Sequence, residues 1–186
     1  MDAKKLFISL PFENNLVNRW HKGFTKLNLP QAKIKAVPPA NFHLTLKFLG
    51  WLPLDKLLPI IETIRPLTAN REEFTLVAAQ PEIFPADKTK APRVLSICFI
   101  YNQHLQQLFD EVEEALWQAG LAHKEPRRFT PHLTLARVKT SAKYDEFQDF
   151  IDWKVSGEST ANCLQLMESV AGKFGPEYFV LEHFNF

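Results

Sequence analysis

The sequence holds only two cysteines and six glycines in 186 residues, and its 22 basic and 21 acidic side chains nearly cancel, to a net charge of +1. Each scarcity removes a class of protein. Cys98 and Cys163 stand in separate apolar, strand-like runs. That placement suits two buried thiols and supplies neither a disulfide framework nor a clustered zinc site. The few glycines form no GxGxxG or GxxxxGK, so an ATP-using enzyme built on a phosphate-cradling loop is not expected. No GxSxG marks a serine nucleophile. Long apolar runs are missing as well. No window approaches the ~20 residues of a membrane span, and the opening MDAKKLFISLPF gives way at once to Glu13 and Asn14, too soon for a signal peptide. A cytoplasmic protein is the expectation. The balanced charge argues against a surface built to hold long nucleic acid, and leaves room for a local basic cleft around a short strand or a chain end.

What is present is ample core material: 46% hydrophobic residues, with 16 Phe and 4 Trp. The length fits one domain or two small, closely associated lobes. Leu16, Val17, Trp20, Phe24 and Leu27 recur at helical spacing. Leu105, Leu108, Val112, Leu116 and Ala119 do so again before Gly120, a suitable stop. Leu54, Leu57, Leu58, Ile61 and Ile64 predict a helix opened by Pro53 and ended before Pro66. Strands are predicted over 6–12, 34–37, 42–49, 74–84, 94–100, 128–138, 164–170 and 178–186, with a short helix over 144–151.

The order of elements repeats. Each half runs strand, helix, strand with the tetrapeptide His-Leu-Thr-Leu, helix, further strands. The tetrapeptide stands at His43–Leu46 and again at His132–Leu135. Offsets of this kind persist from the histidines to the later strands opening at Phe74 and Asn162, which suggests a tandem duplication with halves roughly 1–90 and 91–186. Two similar lobes would face each other across a pseudo-two-fold axis, with a site between them fed equally by both.

Strand periodicity puts His43 and Thr45 on one face, with Leu44 and Leu46 on the other, and treats His132, Thr134, Leu133 and Leu135 the same way. Two imidazoles and two hydroxyls around one pocket suit phosphoryl transfer. With an ordinary pKa of about 6.5, one imidazole can be neutral while its partner is protonated. The neutral ring takes a proton from water, the charged ring gives one to the departing oxygen, and the hydroxyls donate to phosphate oxygens as charge gathers there. A zinc site would want three or four ligands at close spacing, and HLTL supplies one. Lys47 shares the parity of His43 and Thr45 and would add charge near a phosphate, or be a solvated strand-end lysine. Arg128 has the parity of His132, interrupted by Pro131. Phe48 could stack on a base, although its parity points to the core, as does that of Arg137. Lys88, Lys90 and Arg93 stand in a loop that could guide an RNA backbone.

The segments LFISLPF, NFHLTLKFLGW, APRVLSICF and RRFTPHLTLARV, in that order and spacing, resemble the two-histidine (2H) phosphoesterase superfamily. Within it they are most similar to the bacterial and archaeal RNA 2′,3′-cyclic phosphodiesterases, once called 2′-5′ RNA ligases. The resemblance covers nearly the whole chain. It implies a bilobal α+β fold with an antiparallel sheet in each lobe and the cleft between them. It also implies hydrolysis of a 2′,3′-cyclic phosphate at an RNA or nucleotide end to a 2′-phosphomonoester, without metal or cofactor. By motif, His43 would be the proton donor to the 3′-oxygen and His132 the acceptor that activates water, with Thr45 and Thr134 holding the phosphate. The reverse reaction, 2′-5′ ligation, would use the same pair. A module that binds RNA ends without turnover is the reading outside catalysis, and it would not need two matched histidines. A single chain that makes its own cleft suits a monomer with no membrane or protein partner.

Overall fold

The computed structural model describes residues 3–139, 142–173 and 175–186. Along the chain run β1 (Ala3–Pro11), α1 (Asn14–Phe24), β2 (Ile34–Ala36), β3 (His43–Pro53), α2 (Leu57–Thr68), β4 (Phe74–Phe84), β5 (Val94–Phe99), α3 (Gln103–Gln118), β6 (His132–Val138), α4 (Gln148–Ile151), β7 (Glu158–Ala161), β8 (Cys163–Gly172) and β9 (Gly175–Asn185). The fold is α+β, as expected. Its strands pair antiparallel throughout, in the spatial order β7-β4-β5-β6-β3-β1-β8-β9, with β2 also lying on β6. Among the described residues no helix is long and apolar enough to cross a membrane.

The centre of this order is the junction of β3 and β6, the two HLTL strands, joined through the single pair Leu44–Leu133. Reading outward from it, both sides follow one plan. β3 is flanked by β1 and then by β8, and β6 is flanked by β5 and then by β4. β8 comes from the second half of the sequence and β4 from the first, so each half-sheet contains a strand supplied by the other half of the chain. Helices divide likewise. α2 lies on β8 and β9 and against α3, which contacts β3, while α4 lies on β4. α1 completes the second group: Trp20 packs edge-on to Phe99 of β5, its indole N–H donates to the Ser156 carbonyl at 3.0 Å, and Phe24 meets Phe150 of α4.

The helices form where apolar spacing asks for them, with Leu16, Val17, Trp20 and Phe24 buried from α1. The Asn102 side chain caps α3 by accepting from the Leu105 N–H at 2.9 Å. α2 departs from the sequence expectation at both ends. Pro53 closes β3, a 3₁₀ turn over Leu54–Lys56 intervenes, and the helix then runs through Pro66 to Thr68. Pro66 and Glu62, whose carbonyl loses a partner to it, are both exposed, so water can serve that carbonyl. The buried Ile60, Ile64 and Thr68 hold the last turn down. β6 begins at His132 and not at Arg128, because Pro131 has no N–H for the ladder. The strand β7 went unpredicted. Its buried positions are Ser159 and Ala161, too small and mixed to give a hydrophobic alternation.

Both HLTL strands carry a β-bulge at the same place. In β3, Thr45 pairs with Ser9 and Lys47 with Ile8, leaving Leu46 extra. In β6, Thr134 pairs with Ser96 and Ala136 with Leu95, leaving Leu135 extra. A bulge puts two successive side chains on one side and reverses the alternation beyond it. Leu46 with Lys47, and Leu135 with Ala136, are accordingly buried together, and Phe48 and Arg137 emerge exposed.

Candidate active site

Leu44 lies opposite Leu133. Extending that antiparallel register by one residue each way sets His43 across from Thr134 and Thr45 across from His132. Opposed residues share a face, so the four polar side chains converge on one side of the junction. Leu44, Leu46, Leu133 and Leu135 are buried on the other. The central pairing thus turns two sequence motifs into one cluster.

Both imidazoles are oriented by a backbone carbonyl two residues upstream. His43 Nδ1 lies 2.7 Å from the Asn41 carbonyl oxygen and His132 Nδ1 lies 2.8 Å from that of Thr130. A carbonyl only accepts, so each Nδ1 carries the proton and each Nε2 is left for chemistry. The two rings differ from there on. His43 Nε2 is 3.0 Å from Thr45 Oγ1, so in the neutral ring the threonine hydroxyl donates to it. His132 Nε2 has no hydrogen-bond partner among the described residues. Asn41 has a second task, since its side-chain amide donates to the Pro176 carbonyl of β9 at 2.9 Å.

Surroundings sharpen the difference. His43 sits between Phe7 and Tyr178, with ring centroids at 4.9 and 5.2 Å. His132 is flanked by Phe84 at 5.0 Å. Burial pushes the His43 pKa down to about 4, the Asn41 carbonyl opposes that, and electrostatic repulsion from the neighbouring His132 and Arg137 lowers it further. At neutral pH the free protein therefore keeps His43 uncharged. Beneath the threonines lie Ser9, opposite Thr45, and Ser96, opposite Thr134, both fully buried with hydroxyls that have no partner among the described residues. Cys98 stands opposite His132. Its thiol is pushed up to about 12 by burial and by the Glu82 carboxylate, which rules it out as a thiolate nucleophile near neutrality. Among the described residues no three His, Cys, Asp or Glu side chains are grouped to hold a metal ion.

The structure brings together His43, Thr45, His132 and Thr134 and rearranges the rest. Lys47 is not near the imidazoles: the bulge turns it inward, where its ammonium pairs with the buried Glu113 of α3 and donates to the His123 carbonyl at 2.6 Å. Phe48 gains what Lys47 loses. It faces the cleft beside Phe7, with centroids 6.2 Å apart. Arg137, which parity assigned to the leucine face, is exposed, and its charge acts on His43. Arg128 lies on the exposed loop leading into β6, outside any strand, so strand parity does not apply to it. Sequence reasoning passed over Phe7, Phe84 and Tyr178. The first two stand in apolar runs that look like core, and Tyr178 reaches His43 only through the β1-β8-β9 pairing.

The sequence and the fold are similar to those of known proteins. The profile of the 2′-5′ RNA ligase superfamily matches residues 13–173. An Archaeoglobus fulgidus protein named RNA 2′,3′-cyclic phosphodiesterase is 32% identical over 157 residues, covering 82% of this chain and 84% of the relative. A Methanocaldococcus jannaschii protein of the same name is 27% identical over 181 residues, covering 96% and 98%. Among solved structures, one from Thermus thermophilus superposes with a TM-score of 0.82 at 24% identity over 97% of both chains. The E. coli protein LigT, complexed with 3′-AMP, superposes at 0.79 with 18% identity over 99% of this chain and 98% of that one.

Proposed function

The chain belongs to the 2′-5′ RNA ligase superfamily, and from that membership and the site geometry we propose that it hydrolyses 2′,3′-cyclic phosphates at RNA ends to 2′-phosphomonoesters. The observation that carries the reading is the opposed register of the two HLTL strands, which places an imidazole and a hydroxyl from each on one face. His132, with Nε2 uncommitted, accepts a proton from water as the water oxygen bonds to phosphorus. His43 donates its Nε2 proton to the 3′-oxygen as the P–O3′ bond breaks, and the phosphate stays on the 2′-oxygen. Thr45 and Thr134 donate to the non-bridging oxygens, and Arg137 offsets their charge. Phe48 stacks on the terminal base, and Arg128 is held as an outer contact to the RNA.

The His43 proton has to be accounted for, because burial keeps that ring neutral in the free protein. An anionic phosphate in the pocket reverses the balance by favouring the imidazolium. The acid is thus loaded by the substrate it acts on. The two histidine-bearing halves are read as a duplicated unit, and the cleft is complete within one chain, so a monomer suffices.

The test is hydrolysis of a 2′,3′-cyclic nucleotide, and of a short RNA with that end, in the presence of EDTA. Turnover yielding a 2′-phosphate is expected, with His43→Ala and His132→Ala each reducing it by roughly 10²–10⁴-fold. Full activity in either variant, or a 3′-phosphate product, refutes the assignment.

A further inference from the structure

The bulge beyond Thr45 is not the last irregularity of β3. Phe48 pairs with Phe7 and Gly50 with Leu6, so Leu49 is extra, and Gly50 takes a φ of 77° that a side chain would disfavour. Because of this second bulge, Trp51 lies opposite Lys5. Lys5 is two residues from Phe7 along β1, so it shares the face on which Phe7 touches His43. Trp51 and Phe48 therefore stand on the cleft face one after the other, while Leu52 turns to the opposite side and packs on the core. Both aromatics are 69% exposed. They lie roughly 7 Å apart along the strand, leading away from the histidines. Lys5 makes no ion pair with a described residue, whereas its neighbour Lys4 is held by Glu168 at 2.5 Å on the other face.

We infer that Trp51 and Lys5 form a second nucleotide subsite, taking the nucleotide upstream of the cyclic phosphate and making an RNA end of two or more nucleotides a better substrate than a lone cyclic nucleotide. This rests on the activity proposed above. Phe48, within reach of the Phe7–His43 cluster, holds the terminal base. Trp51 offers the next flat face outward, and the free Lys5 ammonium offers a counter-charge for the phosphate between the two nucleosides. Stacking accepts any base, so the track senses the presence of a second nucleotide and not its identity. Its continuity with the imidazole cluster on the same strand is what assigns this exposed apolar surface to RNA and not to a protein partner.

The test compares kcat/KM for a 2′,3′-cyclic mononucleotide and for a trinucleotide ending in the same group. The ratio of trinucleotide to mononucleotide should exceed one in the parent protein, fall about 5- to 100-fold in Trp51→Ala, and survive in Trp51→Phe, which keeps an aromatic face. A ratio untouched by Trp51→Ala, with both substrates still turned over, overturns the subsite and leaves the activity standing. If the parent turns over neither substrate, the proposed activity fails instead. The subsite is then decided by intrinsic fluorescence: quenching by the trinucleotide that disappears in Trp51→Phe supports it, and quenching that persists overturns it.

Discussion

His43 has both ring nitrogens engaged before any substrate arrives, one by the Asn41 carbonyl and one by the Thr45 hydroxyl, whereas His132 has only Nδ1 engaged. Protonating His43 costs free energy in the buried pocket and gains it back only beside an anion. Its pKa of about 4 lies below the ordinary 6.5, so it is neutral above about pH 4 in the free protein. Binding of a 2′-phosphorylated nucleotide should move it upward, because the anion stabilises the charged form. Titration of the imidazole resonances by NMR, free and bound, measures this directly, and a His43 pKa that stays near 4 in the complex would remove it as the proton donor. The four motif residues were legible in the sequence because a repeated HxTx fixes residue type and spacing together. The unequal environments of the two histidines were not, since they depend on Phe7, Tyr178 and Arg137, which arrive from three other stretches of the chain.

At the level of the strand, one extra residue decides what each HLTL segment displays. Without the bulge Lys47 would face the cleft and Phe48 the core, as strict alternation predicts; with it the two exchange places. Period-two reasoning holds for the first four residues of β3 and β6 and fails at the fifth in both, because nothing in the residue types marks the bulge. The consequence for Lys47 can be measured. It forms a buried pair with Glu113, so Lys47→Ala strands a carboxylate and should cost about 3–5 kcal/mol. The double replacement Lys47→Met with Glu113→Leu should recover most of that loss. Urea unfolding midpoints of the three proteins decide it, and a stable single variant with impaired turnover would return Lys47 to the phosphate. The other elements were readable where an amphipathic stripe was long, as in α1 and α3, and unreadable where four mixed residues became β7 only through pairing with β4.

On the scale of the whole molecule, β4 pairs with β5 and β7, and β8 with β1 and β9. Neither half of the sequence therefore owns a complete half-sheet. A chain cut in the exposed loop between Pro85 and Pro92 leaves β4 without either neighbour on one fragment and β8 without β1 on the other. Exposed strand edges of that kind invite pairing. The two fragments should be unfolded or aggregated alone and should assemble into an active one-to-one complex when mixed. Far-UV circular dichroism and size exclusion would show it, and a cooperatively folded monomer of the first fragment alone would contradict it.

The same crossing of strands bears on the difference between the two histidines. A half-length chain of this kind could cover its open edges only by trading strands with an identical copy, and such a symmetric pair would present two equivalent imidazoles with equal proton affinities. A single polypeptide that carries both histidine strands is under no such equality. Tyr178 and Phe7 can then enclose one ring while the other stays open, and a division of labour between proton donor and proton acceptor becomes something single substitutions can refine.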